Sequence, residues 1–236
     1  LSQAKASLSW VQDRDIARLT TASTFDFASL RNEKTALFLA IPQNRIGYYA
    51  PLLSLFYTQL FHFLLDDDLY KKNSLPVYCL LDEFAHLSIP HFSSIITTTR
   101  ARRVSLSIVL QSLSQLEERY GKHGANTILN GGCASQIFFS GMDTDTARML
   151  RETLGEVSVE TLLVNGQFRR DKEPLMTTAA IRAMADNEVI YLYGNKRPMK
   201  LQLTPYYEQN DLVRRTQTAY RPPKIAPLSA VCYVPI

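Results

Sequence analysis

Apolar and polar positions alternate along the chain in a pattern typical of an α/β fold. Between the first four apolar runs, the apolar residues have helical spacing, with no two-residue hairpin turns. Apolar strands that alternate with helices predict a mostly parallel sheet with helices on both faces. The runs, rich in valine, isoleucine, leucine, phenylalanine and tyrosine, are Ala36–Ile41, Val77–Leu81, Val104–Leu110, Gln136–Phe139 and Val189–Tyr193.

Near the C-terminal edge the pattern changes from crossover connections to a tight turn. Gly194 and Asn195 link the fifth run to a further apolar stretch, Met199–Leu203. A short glycine-containing link between two such stretches is typical of a β-hairpin. We therefore expect an antiparallel hairpin at this edge of the sheet.

The longest apolar segment, Ile46–Leu65, contains no charged residue. Its length alone would suffice to cross a bilayer. However, Pro51 interrupts it, and Ser54, Thr58 and His62 recur every four residues along one stripe. This spacing predicts a helix with a narrow polar seam, lying between the sheet and a neighbouring element, rather than a membrane span.

The two ends of the chain differ from its centre. Residues 1–24 have the spacing of a helix that enters from an upstream segment, and the first residue is Leu1 rather than methionine, so we treat the chain as a possible part of a longer protein. Beyond Tyr206 the periodicity disappears, and we expect a tail that wraps the surface or stays mobile. Its prolines are Pro222, Pro223, Pro227 and Pro235.

The composition is that of a globular protein with enough residues for a buried core. Of the 236 residues, 46% are hydrophobic and 20% are charged. Twenty-six basic and 22 acidic residues give a formal net charge of +4, which neither requires nor excludes nucleic-acid binding. The cysteines, Cys79, Cys133 and Cys232, form no disulfide framework, so a reducing cytoplasm is the expected compartment.

Two adjacent carboxylates follow the second apolar run. Val77–Leu81 ends directly in Asp82 and Glu83. Ligands in parallel sheets bind beyond the carboxyl ends of the strands, and charges there are costly unless a cation or ligand compensates them. The pattern is that of a Walker B motif, whose first carboxylate holds the Mg²⁺ shell and whose second orients the attacking water. The alternative is a pair of acids at a helix N-terminus.

Two further polar groups stand near strand ends. Gln111 follows the third run and can contact a terminal phosphate, or it can simply begin the next helix. Arg100 belongs to a basic stretch ahead of that run, where its guanidinium can clamp a phosphoryl group from a neighbouring subunit. Arg102 and Arg103 fit a solvated helix end, with a surface facing DNA as the alternative.

The difficulty is that no phosphate-binding loop of the form G-x-x-x-x-G-K-[ST] occurs in the chain. Without such a loop, an ATPase cannot cradle the β- and γ-phosphates of its nucleotide. Either the chain is not an ATPase, or the loop lies upstream of Leu1.

Several blocks of sequence, taken in order, resemble one protein family. The blocks Leu80–Leu87, Ile95–Arg100 and Ser105–Leu116 are similar to those of the TraG/TraD-like coupling proteins of conjugative DNA transfer and type IV secretion. The similarity extends from about Leu1 to Glu208. Further matching segments are Thr35–Pro42, Leu53–Phe61, Thr127–Asn130 and Gly194–Pro198.

The resemblance implies a fold and a domain organisation. The expected fold is the RecA-like motor domain of FtsK/HerA-type ATPases, assembled as a homo-hexamer on the cytoplasmic face of the bacterial inner membrane. In that family, membrane helices and the phosphate loop come first, and an all-helical domain is inserted before the matching segment. Residues 1–24 would then end this insertion, residues 25–205 would form the C-terminal part of the nucleotide-binding domain, and residues 206–236 would be a tail.

The resemblance also implies roles for individual residues, with ATP and Mg²⁺ as substrate and cofactor. Asp82 corresponds to the Mg²⁺ carboxylate, acting through water, and Glu83 to the catalytic carboxylate. Gln111 corresponds to the γ-phosphate contact, and Arg100 to the arginine finger. The implied partners are single- or double-stranded DNA, relaxase or other secretion-substrate proteins, and inner-membrane components of the secretion system.

Two other functions remain open at the level of sequence. The missing phosphate loop and the proline-containing tail would also suit a non-hydrolysing module that docks secretion substrates. The modest positive charge would suit a DNA-binding segment without catalysis.

Overall fold

The computed structural model describes residues 9–23, 25–71, 73–162 and 167–217. These residues divide into two compact units, one running through Val109 and the other starting at Leu110. Residues 1–8 of the expected N-terminal helix, and residues 218–236 of the expected tail, lie outside the described residues. The start of that tail is more regular than expected, because it contains a 3₁₀ turn at Tyr206–Glu208 and a helix at Asn210–Thr216.

The first unit is built around a long helix and a pair of parallel strands. Its helices are α1 (Arg14–Thr20), α2 (Ser29–Asn32), α3 (Ile46–Leu65) and α4 (Phe92–Thr98). Strand β1 (Val77–Leu81) pairs in parallel with β2 (Val104–Ile108), from Val77 opposite Val104 to Leu81 opposite Ile108. Short 3₁₀ turns cover Ser9–Gln12, Gln43–Arg45, Phe84–His86 and Thr99–Arg102.

Helix α3 has the bounds that the sequence predicts, and its polar seam contacts a neighbouring segment. The Ser54 hydroxyl donates to the carbonyl of Ser88, 2.5 Å away, and Thr58 donates to the carbonyl of Ser54. Leu60, Phe61 and Leu64 of the same helix are buried in the core of the unit. Within the described residues, no helix is both long and apolar enough to cross a membrane.

The prediction of a strand at Ala36–Ile41 is wrong. The segment has no strand assignment, and Phe38 in its middle is 88% exposed. An apolar run becomes a strand only when a neighbouring strand completes its backbone hydrogen bonds. Among the described residues no strand pairs with this run, so the hydrophobic pattern was an insufficient signal.

The described part of the second unit contains an antiparallel sheet, a separate hairpin and four helices. Strands β3 (Ser135–Phe139), β6 (Glu188–Tyr193) and β7 (Met199–Gln202) form the sheet in the order β3–β6–β7. Strands β4 (Glu156–Leu162) and β5 (Phe168–Pro174) pair with each other. The helices are α5 (Leu113–Asn126), α6 (Thr144–Leu154), α7 (Thr178–Arg182) and α8 (Asn210–Thr216), with a π-turn at Thr127–Gly132 and a 3₁₀ turn at Tyr206–Glu208.

The α/β fold class and the β6–β7 hairpin are thus confirmed, while the strand pairing differs in detail from the expected sheet. The parallel pairing in the described residues is confined to β1 and β2, and β3 pairs antiparallel with β6. The core of the second unit lies between helices and sheet. It contains Ala147, Leu150, Ile181, Met184 and Ile190, with Phe138 and Leu192 packed against them.

Candidate functional site

The predicted Walker B carboxylates occupy a tight turn at the end of β1. Leu81 is buried at the last position of the strand, and the backbone N–H of Glu83 donates to Asp82 Oδ1 at 2.9 Å. Glu83 has φ 48° and ψ 40°, in the left-handed region. This conformation costs a residue with a Cβ atom roughly 1 kcal/mol. Such strained positions occur often at functional sites, where the surrounding structure holds them in place.

The residue that follows the pair anchors the turn in the core. Phe84 is fully buried, and its ring centroid lies 4.5 Å from that of Phe92 on α4. The Phe84 N–H donates to the carbonyl of Val109, and the Val109 N–H donates to the carbonyl of Leu81, at 3.1 and 3.0 Å. The chain on both sides of the two carboxylates is therefore fixed to the end of β2.

His86 lies beside the second carboxylate. Its Nε2 atom is 3.2 Å from Glu83 Oε2, with the two side chains 46% and 31% exposed. Because the 3₁₀ turn Phe84–His86 immediately follows Glu83, a separation of three residues brings the two groups together. Sequence reasoning gave no such role to His86, although the i, i+3 spacing next to a strand end was a usable signal.

An open cavity of about 590 Å³ lies against this turn. Asp82, Glu83 and His86 supply its polar wall, and the segment Leu39–Pro42 supplies part of its apolar wall. Tyr57 of α3 also lines it, and burial raises the pKa of this phenol. The remaining lining residues are Ile46, Leu53 and Leu87.

The carboxylates fit Mg²⁺, which keeps several water ligands, better than a metal ion whose ligands all come from the protein. Mg²⁺ prefers oxygen ligands and usually binds through one or two carboxylates, several waters and substrate phosphates. Asp82 is exposed and lines the cavity, as such a ligand requires. Among the described residues, no group of three or more histidine, cysteine, aspartate or glutamate side chains is arranged to hold a metal.

Burial also raises the pKa of a thiol in β1, the strand that leads to the two carboxylates. Cys79 lies in the middle of β1, and burial raises the pKa of its thiol to about 11, although the nearby Arg31 acts in the opposite direction. The thiol is therefore protonated at neutral pH and a weak nucleophile.

Arg100 lies on the 3₁₀ turn Thr99–Arg102, which joins α4 to β2, and its side chain is exposed. The two arginines that follow it bind the chain itself. Arg102 forms an ion pair with Asp67, and Arg103 Nη1 donates to the carbonyl of Ser74 at 2.9 Å. Arg102 is thus held in an ion pair and is not freely solvated, while a surface at Arg102 and Arg103 that faces DNA stays a prediction.

Gln111 belongs to the second unit and directly precedes the N-cap of α5. Its side chain is exposed, and the next residue, Ser112, accepts a hydrogen bond from the Gln115 N–H. This position agrees with the simpler sequence interpretation, a polar residue at a helix N-terminus. A γ-phosphate contact by Gln111 stays a prediction.

Comparison with known proteins relates these features to a family. Residues 1–226 match the family described as type IV secretory system conjugative DNA transfer. The chain belongs to this family. The TraG/TraD-like resemblance inferred from Leu80–Leu116 is therefore confirmed.

The curated relatives of this type IV secretion family member are longer than the chain. It is 27% identical to the protein VirD4 of Rhizobium rhizogenes, over 83% of the chain and 31% of VirD4. It is 25% identical to the conjugal transfer protein TraG of Rhizobium radiobacter, over 86% of the chain and 33% of TraG. The chain thus spans about a third of the length of these relatives.

Solved structures of a conjugative coupling protein share the fold. The unbound conjugative coupling protein TrwBdeltaN70 has a TM-score of 0.70 at 23% identity, covering 84% of this chain and 47% of that one. TrwB in complex with ADP and Mg²⁺ has a TM-score of 0.64 at 23% identity, covering 76% of this chain and 43% of that one. These similarities confirm the α/β, RecA-like fold.

Proposed function

We propose that the chain is part of a motor ATPase that couples DNA and relaxase-protein substrates to a type IV secretion channel. In this proposal, ATP hydrolysis drives conjugative transfer. The observation that carries it is the strained Asp82–Glu83 turn on the wall of a cavity, in a member of the conjugative transfer family. The TrwB structures in complex with ADP and Mg²⁺, and with the ATP analogue ADPNP, support a nucleotide as the ligand of this cavity.

Each carboxylate would have a separate task. Asp82 would hold Mg²⁺ through a water molecule, and the ion would neutralise charge on the nucleotide phosphates. Glu83 would orient the attacking water and accept its proton. His86, 3.2 Å from Glu83 Oε2, fixes the direction of that carboxylate while the left-handed backbone presents it at the cavity wall.

Arg100 would act on the nucleotide of a neighbouring subunit. Its exposed position on the Thr99–Arg102 turn, outside the set of residues that line the cavity, supports a role in trans. An arginine finger stabilises charge on the transferring phosphoryl group and contributes about a thousandfold or more to turnover. Gln111 would contact the γ-phosphate from the start of α5.

The proposal includes the setting in which the motor works. It would form a homo-hexamer on the cytoplasmic face of the inner membrane and contact inner-membrane components of the secretion system. Residues 1–24 would end an all-helical insertion, residues 25–205 would complete the nucleotide-binding domain, and residues 206–236 would form a tail. Family membership and the net charge of +4 support DNA as the transported substrate.

The experiment makes two measurements. The first is the ATP turnover of the complete gene product purified from its host, and the second is the DNA transfer that the host performs. Glu83→Gln and Arg100→Ala should each lower turnover by about a thousandfold and abolish transfer. Glu117→Gln and Arg18→Ala, which change exposed residues of the same types, should leave both unchanged. Unchanged turnover in the first pair would contradict the assigned roles, and a parent protein without turnover would favour a non-hydrolysing docking module.

A further inference from the structure

Backbone carbonyls bind a buried cation of the first unit. Arg31 on α2 is 5% exposed. Its Nη1 donates to the carbonyl of Leu75 at 3.0 Å, and its Nη2 donates to the carbonyls of Leu64 and Arg102 at 3.0 and 2.8 Å. Among the described residues, none of these acceptors is a carboxylate. Burial lowers the pKa of Arg31, with Tyr70 acting in the opposite direction.

The three carbonyls belong to three different segments. Leu64 lies in the last turn of α3, where carbonyls lack helical partners and the helix dipole attracts a cation. Leu75 lies two residues before β1, which leads to the carboxylate pair. Arg102 closes the 3₁₀ turn that carries Arg100. The Arg31 guanidinium therefore links the Thr99–Arg102 turn, here called the arginine turn, to the end of α3 and to the segment before β1.

Contacts around Arg102 strengthen this connection. The guanidinium carbons of Arg31 and Arg102 each lie 5.6 Å from the centroid of the Tyr70 ring. Arg102 also forms an ion pair with Asp67, in the segment between α3 and β1. We call Arg31, Asp67, Tyr70 and Arg102 the arginine-turn cluster.

We propose that Arg31 is a positioning residue that fixes the Thr99–Arg102 turn so that Arg100 reaches the nucleotide of a neighbouring subunit. This inference rests on the proposed function. Strand β1 depends less on Arg31, because five residue pairs hold it to β2. The 3₁₀ turn is a single turn with poorer hydrogen-bond geometry, so the loss of Arg31 should displace it first.

Lysine cannot replace this guanidinium. The planar fork of arginine directs several N–H groups along fixed lines, whereas an ammonium is a compact charge on a flexible stem. Arg31→Lys keeps the charge and loses the simultaneous contact with three carbonyls. Because small displacements of a catalytic group cost about a hundredfold, we expect turnover to fall by about that factor with KM for ATP nearly unchanged.

Mixed assemblies of the complete gene product separate this role from a general structural one. A subunit with a defective arginine finger still has an intact Glu83, and a Glu83→Gln subunit still has an intact finger. In an equal mixture, roughly a quarter of the interfaces in a head-to-tail ring would combine both intact groups. Arg31→Lys should therefore regain turnover when mixed with Glu83→Gln, and should regain none when mixed with Arg100→Ala.

The mixture of Arg100→Ala with Glu83→Gln tests the proposed function alone, since its recovery requires a finger in trans. If that mixture recovers and the mixture of Arg31→Lys with Glu83→Gln does not, the positioning role is overturned while the proposed function stands. Unchanged turnover of Arg31→Lys alone would also overturn it. Arg18→Met, on an exposed arginine of α1, is the matched control and should behave like the parent.

A second variant changes an exposed residue of the arginine-turn cluster. Asp67 is 76% exposed in its side chain, so Asp67→Asn removes the ion pair with Arg102 without changing a buried group. If Arg31→Lys fails to assemble, Asp67→Asn decides the question. A smaller loss of turnover that Glu83→Gln subunits restore supports the inference, and turnover equal to that of the parent overturns it.

Discussion

The two units of the chain differ in where their backbone departs from ordinary conformations. In the first unit, the left-handed positions of the described residues are Glu83, His91 and Arg103, all of which carry a side chain. In the second unit they are glycines, at positions 121, 141, 155 and 194. Glycine adopts this region without steric cost, whereas other residues do not. The first unit therefore contains local strain close to the carboxylate pair and the arginine turn.

The helix ends show the same difference. In the second unit, the N-cap residues of α5, α6 and α7 are Ser112, Asp143 and Thr177, whose side chains accept backbone N–H groups, whereas α8 has no side-chain cap. In the first unit, Asp13 caps α1 in the same way, whereas the N-cap residues of α2, α3 and α4 make no side-chain cap. Consistency among local signals makes a segment easy to fold, and departures from it concentrate at functional sites. The local signals of the second unit are thus the more regular of the two.

The largest expected effect on stability lies in the core of the second unit. Leu150 is fully buried in the apolar cluster, so Leu150→Ala should lower the free energy of unfolding by about 2–5 kcal/mol. Leu201→Ala, at a position 42% exposed, should cost less than about 1 kcal/mol. Urea unfolding with amide hydrogen exchange of the second unit measures both. Equal losses would contradict the assignment of Leu150 to the core that stabilises this unit.

A smaller effect is expected at the cap of α6. Asp143 accepts from the N–H groups of Asp145 and Thr146, and Asp143→Ala should cost about 1 kcal/mol at neutral pH. Asp145→Ala removes an exposed ion pair with Arg148 and should cost close to nothing. Urea unfolding of both variants measures the difference, and similar losses would argue against the cap.

The cap should also depend on pH. Desolvation raises the pKa of Asp143, but hydrogen bonds from Thr146 and from backbone N–H groups outweigh it and hold the pKa below 3.8. A lowered pKa in the folded state stabilises the protein above the unfolded value, and this contribution is lost as pH falls through the folded value. The advantage of the parent over Asp143→Asn should therefore shrink below about pH 4. A constant difference in unfolding free energy would contradict this.

The smallest effect concerns the strain at Glu83. Glycine removes the steric cost of φ 48°, so Glu83→Gly should be more stable than Glu83→Ala by up to about 1 kcal/mol. Both variants lack the carboxylate and should hydrolyse no ATP. Thermal unfolding of the two proteins provides the comparison. Equal stability would show that the turn contains no strain that a Cβ atom causes.

The sequence predicted those elements whose own residues determine them. Helix α3 has the predicted bounds because a charge-free amphipathic stretch is sufficient to define a helix that packs on a core. Strands β1 and β2 were predicted from their own continuous apolar runs, Val77–Leu81 and Val104–Leu110. The strand at Ala36–Ile41 was wrong because pairing depends on a partner elsewhere in the chain, which hydrophobic periodicity does not specify.

The β4–β5 hairpin was missed although a local signal existed. Val157, Val159 and Thr161 alternate with polar residues, and the Asn-Gly dipeptide at positions 165 and 166, which lie outside the described residues, is a sequence signal for a hairpin. The contacts of the candidate site were less accessible to prediction. The sequence indicated Asp82, Glu83 and Arg100, but the acceptors of Arg31 lie 33, 44 and 71 residues away, and no local pattern identifies them.

The central claim is that the carboxylate at the end of β1 performs chemistry on a bound nucleotide. The most direct measurement is the equilibrium affinity of the Glu83→Gln gene product for Mg²⁺–ATP, determined beside its turnover. The account predicts affinity within about threefold of the parent while turnover falls by about a thousandfold. Loss of affinity in proportion to turnover, or turnover equal to that of the parent, would contradict it.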